Sequence, residues 1–190
     1  MWRVFFKGVI ACVCLLGCTQ DREKTVEVPR FHEMPLLCDV AQISVSCTFR
    51  STEVDPSIEH LVTPSFPEVV EKWAKKCFVA SGTQGQMRVI IEEASISAFP
   101  VAEPQGFFAS TFFSPKIQYT AYCVIKLEIH KAAHIPLHTH RVYVSVSKKA
   151  GRDISEENRD ILLRAMMHNM LERLHTEVLN KAINTAFING

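Results

Sequence analysis

Residues 117–129 read IQYTAYCVIKLEI, and this stretch decides the fold. Apolar side chains occupy every second position from Ile117 to Ile129, while the positions between them are mainly polar. Alternation with a period of two predicts a β-strand with one buried face and one solvated face. Thirteen extended residues span about 43 Å. A strand of this length with one solvated face is typical of an antiparallel sheet.

The same alternation predicts three further strands, at 40–49, 87–99 and 142–147. In the second of these, the apolar residues change from one face to the other at Glu92 and Glu93. Such a change of phase predicts a β-bulge or a bend in the strand.

Two amphipathic helices complete the pattern. Ser65 and Glu68 have capping-box spacing, and apolar residues then recur three and four apart, which predicts a helix ending at Ser81-Gly82. The second helix follows Gly151 and carries an apolar stripe over 163–178. The element order β-α-β-β-β-α predicts an α+β two-layer sandwich, in which an antiparallel sheet of about four strands carries both helices on one face.

The composition narrows the class of protein. The chain has 190 residues, of which 47% are hydrophobic and 22% charged, and it contains 7 Gly. These values favour one globular domain over a disordered or collagen-like chain. The formal net charge is +1, so no strong field of one sign exists to attract nucleic acid or another polyanion.

The first 18 residues have the pattern of an export signal. Arg3 and Lys7 are followed by GVIACVCLLG at 8–17, a run too short to span a membrane as a helix. Residues 15–18, LLGC, resemble the lipobox of bacterial lipoproteins. The resemblance implies cleavage before Cys18 and attachment of diacylglycerol and a further acyl chain such as palmitate to Cys18. An ordinary signal peptide, or a buried N-terminal strand with an incidental cysteine, is the alternative.

The lipobox resemblance also implies a location. Thr19 follows Cys18, where an aspartate is associated with inner-membrane retention, so we expect lipid anchoring in the outer membrane, on its periplasmic face. The predicted organisation is a signal peptide at 1–17, the lipidated Cys18 with a polar tether at 18–35, and a single α+β periplasmic domain at 36–190. No cofactor is expected beyond the covalent lipid on Cys18.

Four other cysteines lie in the predicted periplasmic domain: Cys38, Cys47, Cys77 and Cys123. The periplasm permits disulfides, and four cysteines allow three pairings, among which the sequence does not choose. Four buried free thiols are the alternative, because cysteine packs well as a small hydrophobic residue.

Two segments are candidate sites. The first is a histidine cluster, HKAAHIPLHTH at 130–140, and its imidazoles suit Zn, Cu or Ni. Its members are His130, His134, His138 and His140. The favoured alternative is a solvated hairpin with incidental histidines, and a pH-sensitive interface is another.

The second segment is the uncharged stretch GFFASTFFSP at 106–115. Four aromatic side chains in a connecting segment are costly to leave in water, so they either cover the core or contact a partner protein or an acyl chain. They are Phe107, Phe108, Phe112 and Phe113.

No motif of an enzyme accompanies these segments: Gly-x-Ser-x-Gly, His-Glu-x-x-His and a phosphate-binding glycine loop are all absent from the sequence. In element order the chain resembles the lipopolysaccharide-assembly lipoproteins and, more loosely, the auxiliary lipoproteins of envelope lipid transport. The resemblance implies a non-enzymatic assembly or transport accessory, with an outer-membrane barrel or a lipid transporter as its partner. A periplasmic metal-binding protein or metalloenzyme, and a structural subunit of an envelope or secretion machine, are the alternatives.

Overall fold

The computed structural model describes residues 35–52, 54–102, 115–130 and 138–183. Six strands, two α-helices and one 3₁₀ turn lie within these ranges. They are β1 (Leu36–Cys38), β2 (Gln42–Cys47), the 3₁₀ turn (Glu59–Leu61), α1 (Phe66–Cys77), β3 (Phe78–Ala80), β4 (Gln86–Pro100), β5 (Lys116–His130), β6 (His138–Gly151) and α2 (Glu156–Ile183).

The main sheet has the strand order β2-β4-β5-β6, and it confirms the predicted α+β arrangement of four strands and two helices. One detail differs from the prediction. β4, β5 and β6 are antiparallel, but β2 pairs in parallel with β4, with Val45 opposite Val89, so the sheet is mixed. The reason is the connection: α1 lies between β2 and β4 in the chain, and a helical crossover returns the chain in its original direction.

A second, two-stranded parallel sheet joins β1 to β3, with Leu36 opposite Phe78. This small sheet explains why the first helix ends before Ser81-Gly82, where the sequence predicted its end. α1 begins as predicted, with a capping box in which the Ser65 N–H donates to Glu68 Oε2 at 2.9 Å. The helix ends at Cys77, because the next three residues are held as strand β3 beside β1.

The bulge predicted in β4 is confirmed, because the register of β4 against β5 shifts between Ile91 and Glu93. Both helices pack on the same face of the main sheet, α1 against β2 and β4 and α2 against β5 and β6. The predicted apolar stripe of α2 is buried there, with Met170, Leu174 and Val178 inaccessible to solvent. Neither of the described helices is long and apolar enough to cross a membrane.

Candidate functional site

The face of the main sheet opposite the helices is the candidate site, and we call it the open face. Among the described residues, no helix packs on it. Strand alternation places on it the residues whose neighbours in sequence enter the core. On the three long strands these include Arg88, Ser95, Ser97 and Phe99 of β4, Gln118, Thr120, Tyr122, Val124, Lys126, Glu128 and His130 of β5, and Thr139, Arg141, Tyr143, Ser145, Ser147 and Lys149 of β6.

A carboxylate surrounded by cations lies at one end of the open face. Glu128 is only 8% exposed, and its Oε1 lies 2.6 Å from Lys126 Nζ. Its Oε2 lies 3.5 Å from Arg88 Nη1 and 3.7 Å from His130 Nε2. The hydrogen bond from Lys126 holds the pKa of Glu128 below its usual value, with further lowering by Arg88 and His130. The cluster places three side chains from two strands, Arg88, Lys126 and His130, around the Glu128 carboxylate.

A second ion pair crosses the central strand. Glu92, at the bulge of β4, accepts from Arg141 of β6 through both carboxylate oxygens, with Nη2–Oε1 and Nε–Oε2 distances of 2.9 Å. The guanidinium matches a carboxylate in this two-point geometry, which orients both groups. The bulge in β4 therefore coincides with an ion pair on the open face, in which Glu92 of β4 reaches across β5 to Arg141 of β6.

Apart from these two ion-paired groups, and from Glu93 and Lys149, the open face is rich in hydroxyl groups. Thr120 Oγ1 and Ser147 Oγ are 3.0 Å apart, and Ser97 Oγ donates to the Thr120 carbonyl at 3.4 Å. Two aromatic side chains remain in water, Phe99 at 51% and Tyr143 at 56% exposure. Exposed aromatic side chains beside ordered polar groups are typical of surfaces that bind other molecules.

The predicted histidine cluster is divided by the sheet. His130 lies on the open face beside Glu128, whereas His138 and His140 stand opposite Ile129 and Leu127 on the helix-covered face. Partial burial lowers the pKa of His140, and the nearby positive charges of His138 and Lys181 lower it further. The sheet therefore brings His138 and His140 together but places His130 on its other side.

The described part of the chain contains no group of three or more His, Cys, Asp or Glu side chains that could hold a metal ion. His134 lies outside the described residues, so the four-histidine site stays a prediction. Cys18 and the four phenylalanines Phe107, Phe108, Phe112 and Phe113 also lie outside them. Their predicted roles stay predictions as well.

No disulfide joins the four cysteines of the described residues, Cys38, Cys47, Cys77 and Cys123. Burial raises the pKa of Cys38 to about 11 and that of Cys123 to about 12, and it also raises the pKa of Cys47. Cys47 and Cys123 face the core from β2 and β5, with β4 between them. Two strand spacings are about 9.6 Å, beyond the Cα separation that a disulfide spans. The raised pKa values make Cys38, Cys47 and Cys123 poor nucleophiles, and all three side chains pack in or against the core.

Two polar contacts in the core were not predicted from the sequence. Cys77 Sγ, at the end of α1, lies 3.5 Å from His175 Nδ1 in α2, and the His175 ring meets Trp73 edge to face at 6.5 Å. Glu59 is fully buried, accepting from Ser51 Oγ at 2.6 Å and from the Ile96 N–H at 3.3 Å. Both contacts join residues that are distant in sequence or lie on irregular segments, so no local sequence pattern predicts them.

No protein-family model matches the chain, and no curated protein matches it either. Solved structures similar to it include rare lipoprotein B from Shewanella oneidensis, at 9% identity and a TM-score of 0.44, covering 76% of this chain and 98% of that one. A minor lipoprotein from Acinetobacter baumannii has 11% identity and a TM-score of 0.41, with 77% and 96% covered. A neuraminyllactose-binding hemagglutinin homologue from Helicobacter pylori has 8% identity and a TM-score of 0.43, with 80% and 94% covered. At these TM-scores, nothing about the function of this chain follows from the likeness.

Proposed function

We propose that this protein is a lipid-anchored lipoprotein of the cell envelope that acts by binding a protein partner on the open face of its sheet. Cys18 carries the acyl chains, and Thr19 after it directs the protein to the periplasmic face of the outer membrane. The domain then serves as an accessory in assembly or transport, and its contribution is to bind and position the partner.

The open face is the observation that carries this proposal. The helices cover the apolar side of the sheet, so that side is not available to a partner. The opposite side combines preorganised charges with exposed aromatic rings: Glu128 is held by Lys126, and Phe99 and Tyr143 extend into solvent. Fixed charges give a surface specificity for its partner, and aromatic side chains supply much of the binding energy of interfaces.

A binding role also fits the chemistry of the described side chains. The raised pKa values of Cys38 and Cys123 keep these thiols protonated at neutral pH, and a thiol attacks as its thiolate. Cys77 and His175 form a thiol–imidazole pair, but they are 6% and 8% exposed, within the core. Two carboxylates of the open face are engaged in ion pairs, Glu128 with Lys126 and Glu92 with Arg141.

Site-specific photocrosslinking in cells tests the proposal. We would place a photoreactive phenylalanine analogue at Tyr122, at the centre of the open face, and at Phe99. The matched control position is Lys72, which is exposed on α1 on the other side of the molecule. We expect Tyr122 and Phe99 to give one common adduct with a second envelope protein, identified by mass spectrometry, and Lys72 to give none.

Absence of any protein adduct at both open-face positions would contradict the proposal. Equal yields of the same adduct at Lys72 would also contradict the proposal, because they would show that the second protein lies nearby without binding a defined surface of this one. Circular dichroism of the purified variants establishes that each one is folded.

A further inference from the structure

Within the described residues, the β6 edge of the main sheet is long and unbroken, and it is protected only by charged side chains, such as Arg141 and Lys149, and by one contact from Arg173. β6 runs for 14 residues, contains no proline, and pairs with β5 without a register shift. The opposite edge strand, β2, has only 6 residues. Proteins usually shorten, bulge or cover an edge strand, because its free N–H and C=O groups are a template for another strand.

The hydrogen-bonding groups that point outward from β6 are identified by one contact. Arg173 Nη1 donates to the Ser145 carbonyl at 3.5 Å, so this carbonyl points away from β5. In an antiparallel ladder the N–H and C=O of one residue point the same way and alternate along the strand. Outward-pointing residues are therefore every second one, and all of them have exposed side chains: Thr139, Arg141, Tyr143, Ser145, Ser147 and Lys149.

A groove of about 470 Å³ lies beside this edge, between β6 and α2. Its α2 wall carries both signs of charge: Arg173 lies among Glu172, Thr176 and Glu177. A wall of this kind is complementary to itself. When two such walls meet around a two-fold axis, the cation of each copy comes within reach of the carboxylates of the other.

The charges of β6 also select one register for self-pairing. With the two-fold axis at Val144, Arg141 stands opposite Ser147 of the second copy, Lys149 opposite Thr139, and Tyr143 opposite Ser145. Moving the axis to Ser145 places Arg141 opposite Lys149, and like charges directly opposite each other are destabilising. Moving it to Tyr143 leaves Lys149 beyond the paired segment. The Val144 register alone pairs nearly the whole strand without opposing these cations.

We propose that the protein forms a homodimer in which the β6 strands of two copies pair antiparallel around a two-fold axis at Val144, giving one continuous eight-stranded sheet. The two open faces then become one surface, and Arg173 of each copy exchanges its long contact with Ser145 for carboxylates of the other α2. The dimer is separate from the proposed binding function. Its readout is self-association, whereas that of the binding function is an adduct with a different protein.

Cysteine crosslinking of the full chain in cells reads the register directly. The double variant Tyr143→Cys/Ser145→Cys places thiols opposite each other in the Val144 register, at a Cα separation of about 5.5 Å that a disulfide spans. We expect a reducible dimer from the double variant and none from either single variant. Ser145→Cys alone crosslinks only if the axis lies at Ser145, and Tyr143→Cys alone only if it lies at Tyr143, and either result would overturn the proposed register.

Charge substitution of the purified full-length protein in detergent tests the dimer independently. Tyr143→Lys/Ser145→Lys places lysines opposite lysines at the axis, while both side chains are exposed in the single chain. The matched control is Ser44→Lys/Ser46→Lys, on the exposed positions of the other edge strand, β2. We expect the unaltered protein and the control to be dimers by light scattering, and the β6 variant to dissociate at least about tenfold more readily.

A monomeric unaltered protein at high concentration would overturn the proposal. Unfolding curves matching those of the control establish that the β6 variant is folded.

Discussion

Cys77 and His175 join the end of α1 to α2, with 3.5 Å between the cysteine Sγ and the histidine Nδ1. The ring of His175 also packs edge to face on Trp73. This contact joins the two helices on the covered side of the sheet, while no helix of the described residues packs on the open face.

Replacing His175 is therefore expected to destabilise the fold. His175→Ala removes a ring that is 8% exposed and leaves a cavity beside Trp73, so we expect a loss of about 2–3 kcal/mol in the free energy of unfolding. The control is His168→Ala on the same helix, where the side chain is 41% exposed and a change within about 0.5 kcal/mol is expected. Urea unfolding measures both, and equal losses would contradict the account.

The thiols of the core are expected to resist alkylation. With pKa values of about 11 and 12, Cys38 and Cys123 carry about one thiolate in a thousand and in ten thousand at pH 8. Iodoacetamide should leave both unmodified in the folded protein and modify both in urea, as read by mass spectrometry. Rapid labelling of Cys123 in the native protein would show that its strand is not packed as described.

Acid is expected to weaken the fold in two separate steps. The folded pKa of His140 lies below the unfolded value of about 6.5, so the unfolded chain binds more protons and stability falls as pH drops through that value. The folded pKa of Glu128 is also lowered, so its contribution is lost below about pH 4.5.

Difference curves between variants separate these two steps. We expect His140→Gln to flatten the free energy of unfolding between about pH 7 and 5, and Glu128→Gln to flatten it only below about pH 4.5. The measurements are made with a chelator present, so that metal binding does not contribute. A His140→Gln curve parallel to that of the unaltered protein above pH 5 would contradict the assignment.

The histidine cluster is expected to hold no stoichiometric metal, because His130 lies across the sheet from His138 and His140. Elemental analysis after dialysis against Zn, Cu and Ni should give well below one ion per chain. One bound ion, lost in His138→Ala and His140→Ala, would favour the metalloprotein alternative over the binding module.

Sequence periodicity predicted the elements that are long and amphipathic. The alternation in β5 and the change of phase at Glu92-Glu93 correspond to a buried face and a bulge that the structure confirms. The same signal missed β1 and β3, because three residues are too few to establish a period. It also did not reveal that β2 is parallel to β4, because one buried face looks the same in either pairing.

The open face was predicted only in outline. Alternation identified which residues of β5 are solvated, but the Glu92–Arg141 pair depends on a bulge and on two strands 49 residues apart in sequence. The Cys77–His175 contact spans 98 residues. Contacts of this kind depend on how the elements pack against each other, and the sequence pattern within one strand or helix does not predict them.

The mass of the mature N-terminus tests the central claim most directly, because the binding module is proposed to act from a membrane anchor. We predict that the protein isolated from membranes begins at Cys18 and carries the mass of a diacylglycerol and a further acyl chain. We predict that Cys18→Ala leaves it uncleaved and without that mass. A mature chain that begins elsewhere, or an unmodified Cys18, would contradict the account.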